Sequence, residues 1–344
     1  MEPIILNKNF ERIGLVDNYS SFIWTTRFYK CGDFELVVPA DLQHIQLLQI
    51  GFYIAREDDE NVGIIEDISL SIEEDQSDQM IVTGRFLSCI LGRRIIATQT
   101  QLYGTVSDGV TALINDAIIY PVIAARKIDN FVVVPTAFTA RLEAQYTGKN
   151  LLETVEAICE EKHLGFKTTF ENGNFVFTLY DGTNRSYAQS ENPQVVFSDE
   201  YDNLLTSEYA EQSSELVTDV LVAGEGEGLE RKTIWASNDN LTGLDRYEIY
   251  HDQRNMSTNE GEVTDDEYYA QMLQEGLEQI TTITKAFEGT VYFDNVEYKK
   301  DVFMGDIVTI ENKKWGISIN SRLIEIIESV DEAGTYEIVP TFGV

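Results

Sequence analysis

The chain has 344 residues, and 43% of its side chains are apolar, enough to bury the cores of two or three domains. It carries 25 Lys and Arg against 59 Asp and Glu, a formal net charge of −34, and so acidic a surface repels phosphate and excludes specific nucleic-acid binding. No uncharged apolar run of about 18 residues occurs, and Met1 to Phe10 lacks a basic stretch followed by an apolar one. Neither a membrane span nor a secretory signal is therefore expected, and folding in a cytoplasm is.

The first hundred residues read as strands. Ile4 to Leu6, Ile13 to Val16, Phe22 to Thr26 and Phe34 to Val38 are short apolar or alternating runs separated by Asn, Gly and Asp, the punctuation of antiparallel β structure. Leu42, Ile45 and Leu48 recur at three-residue spacing within Pro39 to Ile50 and predict one short helix. Strand character resumes over Gln49 to Ile54 and Val62 to Leu70, around the acidic turn Glu57 to Glu60. After a polar link, Glu73 to Gln79, it returns over Met80 to Leu87. A first β-barrel domain is expected over residues 1–103.

From about Gly104 to Gly165 the period changes. Asn150 is placed to cap a helix with Glu153 in its first turn, Leu151, Val155, Ile158 and Cys159 on one face, and Gly165 after its end. Phe166 to Phe170 and Phe175 to Tyr180 flank Glu171-Asn172-Gly173-Asn174, a hairpin signal because Asn-Gly tolerates positive φ. An αβ insertion with this hairpin is expected over 104–192. The remainder, 193–344, is expected to be a second β-barrel domain with one long helix, exchange of strands between the barrels being allowed. Its first β section runs from about Gln194 to Tyr250. Thr264 and Glu267 form a capping box, and Tyr269, Met272, Leu273, Ile280 and Ile283 extend a helical stripe to about Ala286. Final strands are expected at Gly289 to Phe293, Asp306 to Ile310, Trp315 to Ile319, Leu323 to Ser329 and Tyr336 to Val339.

The end of the chain echoes its beginning. Gly51-Phe52-Tyr53-Ile54, an acidic turn, Ile64-Ile65-Glu66-Asp67-Ile68-Ser69, a polar link and Met80-Ile81-Val82-Thr83-Gly84 match a later series in order and spacing. That series is Gly305-Asp306-Ile307-Val308-Thr309, the turn at Asn312-Lys313-Lys314, Arg322-Leu323-Ile324-Glu325-Ile326, the link Asp331 to Gly334 and Tyr336-Glu337-Ile338-Val339. Two copies are too few for a solenoid. They suggest two similar barrels in one α+β, mainly β chain, and a trimer of such chains would present six barrels around a ring.

The segment Tyr146-Thr-Gly-Lys-Asn-Leu-Leu-Glu-Thr-Val-Glu-Ala-Ile-Cys159, with Leu164-Gly-Phe166, resembles a family of siphophage tail proteins. The likeness continues through Phe177-Thr-Leu-Tyr-Asp-Gly-Thr-Asn-Arg185, Val195-Val-Phe-Ser198 and Tyr201-Asp-Asn-Leu204, and covers most of the chain. The family is the ReqiPepy6 Gp37-like tail proteins, similar to the T4 baseplate hub and to the N-terminal part of tail-associated lysins. The resemblance implies a homotrimeric hub at the virion tail tip, made in the bacterial host cytoplasm. Its implied partners are the distal tail protein, the tail tube subunits and a downstream fibre or tip protein. No appended peptidase, murein hydrolase or fibre domain is expected after Val344. Gly148 and Gly165 at helix ends, Asn150 as cap, Asp181-Gly182 as turn and Asp202-Asn203 at a strand end are read as architectural.

Chemistry-bearing patterns are few. No Gly-x-Ser-x-Gly elbow, His-Glu-x-x-His helix or P-loop occurs. Gly224-Glu-Gly-Glu-Gly228 is read as a flexible loop, because Glu225 and Glu227 would repel phosphate. Glu57 to Glu60 lacks the spacing of a calcium loop and reads as a solvated turn. Cys31, Cys89 and Cys159 form no C-x-x-C pair and read as buried small apolar residues. His44, His163 and His251 are too scattered to suggest a metal site. Arg93-Arg94 and Lys299-Lys300 read as exposed paired bases, with contact to acidic neighbours in an assembly as the functional alternative. No catalytic, cofactor-binding or metal-binding residue is nominated and no cofactor is expected. The expectation is a non-enzymatic hub that closes a ring and lets DNA pass. The alternatives are a cell-wall glycan hydrolase using an Asp/Glu pair and a host-carbohydrate-binding protein, for which Trp24, Trp235 and Trp315 look too dispersed.

Overall fold

The computed structural model describes residues 1–71, 78–201, 203–204, 208–258, 263–288 and 296–343, the stretch 284–288 by its backbone alone. The opening strands are β1 (Ile4–Leu6), β2 (Arg12–Leu15), β3 (Ser21–Arg27) and β4 (Asp33–Pro39), close to the ranges that alternation predicts. Strand β4 buries Phe34, Leu36 and Val38 at every second position, and β3 buries Phe22 and Trp24. Helix α1 (Leu42–Leu47) is capped by Asp41, whose carboxylate accepts from the His44 backbone N–H. Its expected apolar face is not the buried one: Leu42 and Ile45 are exposed, while His44 and Leu48, just past the helix, are buried. A helix of under two turns is held by whichever end residue reaches the core, here Leu48.

Strands β5 (Tyr53–Ala55), β6 (Val62–Ser71) and β7 (Gln79–Phe86) form an antiparallel meander, and most of the link at Glu73 to Gln79 lies outside the described residues. Register shifts between Ile65 and Asp67, so Glu66 is a bulge against β7. Gly84 lies opposite Ile65, and a Cβ there would sit 1.8 Å from the Ile64 carbonyl oxygen. The absence of a side chain is what lets the two backbones approach.

The middle of the chain supplies β8 (Thr100–Thr105), α2 (Val106–Ile114), β9 (Phe131–Val133), β10 (Arg141–Tyr146), α3 (Leu151–Glu161), β11 (Gly165–Glu171) and β12 (Asn174–Tyr180). Asn150 caps α3, accepting from the Leu152 and Glu153 N–H groups, and Leu151, Val155, Ile158 and Cys159 are buried as expected. The helix end differs from expectation. His163, at φ 56°, takes the left-handed conformation, whereas Gly165 already opens β11, where a Cβ would come within 2.4 Å of the Phe28 ring. The β11–β12 hairpin turns at Asn172 and Gly173, both with positive φ.

The second half contains β13 (Val196–Ser198), β14 (Glu208–Gln212), β15 (Asp219–Ala223), β16 (Thr233–Ser237), β17 (Glu248–Asp252), α4 (Asp265–Leu277), β18 (Thr284–Glu288), β19 (Ile307–Asn312), β20 (Ile317–Asp331) and β21 (Tyr336–Gly343). The capping box of Thr264 and Glu267 opens α4. The helix stops at Leu277 instead of running to Ala286. Its buried face is Tyr268, Gln271, Met272 and Glu275, so Tyr269 and Leu273 lie beside the stripe. The strand expected at Gly289 to Phe293 falls outside the described residues. The two strands expected at Trp315 to Ile319 and Leu323 to Ser329 are one strand, β20, because Asn320, Ser321 and Arg322 pair with Thr309, Val308 and Ile307 instead of turning.

These strands assemble into a mainly β architecture. A 13-stranded sheet runs in the order β14-β18-β21-β20-β3-β4-β7-β6-β5-β1-β2, with β19 attached to β20 and β13 attached in parallel to β19. Among the described residues this path is open, and no closed barrel is found. Small sheets of β8 with β10, of β11, β12 and β9, and of β16, β15 and β17 pack around it. One apolar core runs from Ile5 to Leu179. A second joins Phe28 to Val195 to Leu204 and Val302 to Phe342, and a third lies between α4 and the β15 sheet. Cys31, Cys89 and Cys159 are free and buried. Gly84→Ala is expected to lower stability by roughly 1–3 kcal/mol through forced backbone separation at the bulge, read as a shift of the urea unfolding midpoint at unchanged slope.

Candidate functional site: a charged seam between the two ends of the chain

The meander β19–β20–β21 reproduces β5–β6–β7 in the fold as well as in the sequence. Its register also shifts at the matching place, between Leu323 and Glu325, as the first does between Ile65 and Asp67. The two copies meet where β20 divides one edge between two partners. Ile317 to Arg322 pair with β19, and Glu325 to Asp331 pair with β3, from the other end of the chain.

A buried charge cluster closes this joint. Arg56, just beyond β5, has a fully buried side chain. Its Nε donates to Asp58 Oδ1 at 2.9 Å, and its Nη2 donates to Asp58 Oδ2 at 2.6 Å and to Glu328 Oε1 at 2.9 Å. Glu328 sits on β20 with 2% of its side chain exposed and also accepts from the Tyr336 hydroxyl at 2.7 Å. Lys299 donates to Asp59 at 2.6 Å and lies 3.5 Å from Glu328. The Arg56 guanidinium is also 5.7 Å from the Trp24 ring centroid. Burial pulls the Arg56 pKa down, but its hydrogen bonds to Asp58 and Glu328 outweigh this and raise it. The Arg56 hydrogen bond holds the Asp58 carboxyl below the ordinary carboxylate range, while burial and the neighbouring Glu328 push the Tyr336 hydroxyl up.

The acidic turn Glu57 to Glu60 is solvated as expected at Glu57, Asp58 and Glu60, whose side chains are largely exposed, but it also latches the seam, through the bonds of Asp58 to Arg56 and through Asp59, only 2% exposed. Lys299 belongs to it too, whereas Lys300 pairs with Glu297 at the surface. Arg94 donates to the Arg126 carbonyl. Two signals in the sequence pointed here. Arg56 directly precedes the acidic run, and Glu328 falls between Ile326 and Val330 on the buried register of β20.

Beside the seam lies a cavity of about 490 Å³ lined in part by Arg27, Asp58, Asp59, Glu60, Asp181 and Asp306. Each of its acids faces a cation: Asp58 faces Arg56, Asp59 Lys299, Glu60 Lys167, Asp181 Arg322 and Asp306 Arg185. Glycoside cleavage needs one carboxyl held protonated, and cations at each acid oppose that.

A second ionic joint ties α4 to β10. Lys149 donates to the buried Glu275 at 2.8 Å, Gln253 donates to the same carboxylate at 2.6 Å, and the Tyr146 hydroxyl donates to Glu278 at 2.5 Å. Of the three histidines, His251 stands 3.5 Å from Glu275, His44 pairs with Asp41, and His163 ends α3, so they do not converge. Loss of hydration and the nearby Glu275 push the Glu278 carboxyl up to about 7. Glu225 accepts from Thr258 and Lys232, so the loop Gly224 to Gly228 is tied down at its acid. Among the tryptophans, Trp24 is fully buried, Trp235 stacks with Arg246, and Trp315 precedes β20, so they form no common platform.

A family model described as Siphovirus ReqiPepy6 Gp37-like protein matches residues 2–344. No curated protein sequence matches the chain. The fold is similar to that of a tail protein from Neisseria meningitidis MC58, with TM-score 0.57, 14% identity and coverage of 99% of this chain and 96% of that one. It is also similar to the 43 kDa tail protein of prophage MuSo2 from Shewanella oneidensis, with TM-score 0.58, 13% identity and coverage of 100% and 98%. A third likeness is to prophage tail protein gp18 from Listeria monocytogenes EGD-e, with TM-score 0.54, 11% identity and coverage of 100% and 94%.

Arg56→Ala is expected to destabilise the chain by about 3–5 kcal/mol because the buried Glu328 loses its arginine and keeps only the Tyr336 hydroxyl and Lys299 at 3.5 Å. Arg56→Met combined with Glu328→Leu should recover most of that loss in urea unfolding. Glu278 titrates near 7 in the fold and near 4.5 unfolded. Its raised value means stability is fully present below about pH 4.5 and is lost as pH rises through about 7. Glu278→Gln should therefore raise the melting temperature at pH 8 and leave it unchanged near pH 4.5, as read by calorimetry.

Proposed function

Because the chain belongs to the Siphovirus ReqiPepy6 Gp37-like family, we propose that it is a structural, non-enzymatic subunit of the virion tail tip, three copies of which close a hub ring. The reading is carried by one observation: a single chain holds two meanders bulged at the same position and joined through β20. Three such chains present six similar modules around an axis, a geometry that lets three-fold parts meet six-fold ones. In this reading residues 1–103 and 193–344 supply the two barrel modules and 104–192 the αβ insertion. Distal tail and tail tube subunits contact one face, and a fibre or tip protein contacts the other.

The central passage transmits DNA. With each copy at −34, an acidic lining would keep phosphate from adhering to the wall. The pairing of every acid around the seam cavity favours this structural reading over glycan hydrolysis. The test is co-expression with the tube and distal tail proteins of the same particle, followed by mass measurement and cryo-electron microscopy. Three copies per particle with six barrels around a lumen are expected, and incubation with purified cell wall should release no sugar. One or six copies per particle, or wall cleavage lost on substitution of a cavity acid, would overturn the proposal.

A further inference from the structure

The acidic surface as a whole repels phosphate, and one corner of the αβ insertion carries the opposite character. Helix α2 runs on into a single π turn, Asn115–Ile119, which buries Ala117 and Ile118. The chain then leaves the core as Tyr120-Pro121-Val122-Ile123-Ala124-Ala125 and returns through Arg126 and Lys127. Ile128 N–H donates to the Ile118 carbonyl at 3.0 Å and closes this loop, while the Arg126 and Lys127 N–H groups donate to the Ile123 and Ala124 carbonyls at 2.9 and 3.1 Å. The result is a built protrusion with an apolar end. Tyr120, Val122 and Ile123 are 76%, 92% and 60% exposed, and Ala124 and Ala125 are exposed after them. A consecutive run of such side chains held in water marks a contact surface.

Cations collar the protrusion. Arg94 donates through Nε to the Arg126 carbonyl at 2.9 Å, and Arg126 donates through Nη2 to the carbonyl of the exposed Ile95. Backbone acceptors thus hold the two guanidiniums near one another, and neither pairs with a carboxylate among the described residues. Loss of hydration, then the positive charges of Arg126 and Arg93, lower the Arg94 pKa. Arg56, Arg185 and Arg322 each face an acid instead. In a chain with 59 acids, two neighbouring arginines without one are open to an anion from outside.

We infer that this corner is a shallow membrane-contact site: the turn 120–125 enters the headgroup region of an anionic phospholipid surface, and Arg94 and Arg126 bind its phosphates. Lipid is the occupant because the order along the protrusion is that of a leaflet, with apolar residues at the tip and cations directly behind them. Tyrosine suits the boundary between the two, and arginine reaches headgroups while its stem stays in apolar surroundings. The nearest carboxylates in sequence, Asp116 and Asp129, lie outside the closed loop, and Asp129 pairs with Lys127. At physiological salt, exposed acids more than about 8 Å from the lipid are largely screened, so the net charge of the chain does not forbid the approach. The contact is peripheral, since no helix among the described residues is long and apolar enough to cross a membrane. It goes beyond the hub reading and is tested apart from it.

The full-length chain is sedimented with vesicles of phosphatidylcholine alone and with vesicles of equal parts phosphatidylglycerol and phosphatidylcholine. Binding to the second at least about tenfold above the first is expected, since each cation near an anionic surface contributes roughly fivefold. Arg94→Gln with Arg126→Gln should remove that preference, and Arg94→Lys with Arg126→Lys should keep it. Val122→Asp with Ile123→Asp should abolish binding while near-ultraviolet circular dichroism stays unchanged, because both side chains stand in water. In Val122→Trp, emission should shift to the blue on the anionic vesicles and be quenched by brominated lipids. A chain that stays in the supernatant with both vesicles, or binds without quenching of that tryptophan, overturns the inference. So do Asp substitutions that leave vesicle binding unchanged but prevent co-assembly with the tail proteins, which would make the partner an acidic protein. None of these outcomes depends on how many copies close the ring.

Discussion

A single strand, β20, sets the architecture. Its 15 residues pair with β19, β21 and β3, so one continuous backbone belongs to both ends of the chain. In a strand, a slip of one residue sends every side chain to the opposite face. A slip of β20 against β3 would turn Glu328 away from Arg56, leaving the buried guanidinium with Asp58 alone and the carboxylate without its arginine, a penalty of several kcal/mol. The buried pair therefore contributes more to specifying register than to net stability. Hydrophobic burial along β3 and β20 supplies the attraction, and Arg56 selects one alignment out of those that attraction would allow.

The same logic explains why a chain with 25 basic residues against 59 acidic ones devotes cations to its joints. Arg27 binds Asp33 and Glu325, Arg185 binds Asp306, and Arg322 reaches Asp181 and the Gly305 carbonyl. The contacts of Arg27 to Glu325, Arg185 to Asp306 and Arg322 to Asp181 tie segments more than 100 residues apart in sequence. Acids drawn into the seam are neutralised by such bases, and the excess of acid is left on the surface, where water solvates it.

Local pattern carried most of the elements. Alternation located β3, β4, β6 and β7, the Asn150 cap and the Thr264 capping box located α3 and α4, and Asn172-Gly173 located the hairpin. The order and spacing of the two meanders were also readable, because each repeats the same succession of apolar run, turn and link. Three features were not. The continuity of β20 was hidden by polar Asn320 and Ser321, which look like a turn and are held in the strand by β19. The end of α4 was hidden by Ile280 and Ile283, which prolong the apolar spacing past Leu277, although Ile280 packs on the third core from beyond the helix and Ile283 is exposed. At the seam the separate marks were readable, Arg56 before the acidic run and Glu328 on a buried register, but their pairing was not, because the two stand far apart in sequence and no local rule joins them.

The two copies of the meander also differ in composition in a way that follows from what covers each. The outer half of β20 is covered by β3 within the chain, so it buries Glu328 against Arg56 and fixes alignment with charge. The corresponding stretch of β6, Asp67 to Ser71, has no strand on that side among the described residues; it leaves Leu70 57% exposed and carries one ionised side chain, Asp67. A buried ion pair is worth its desolvation only where both partners are held in place together, so the copy that has β3 as its neighbour is the one that holds a buried carboxylate at this position, and the other keeps an apolar side chain there.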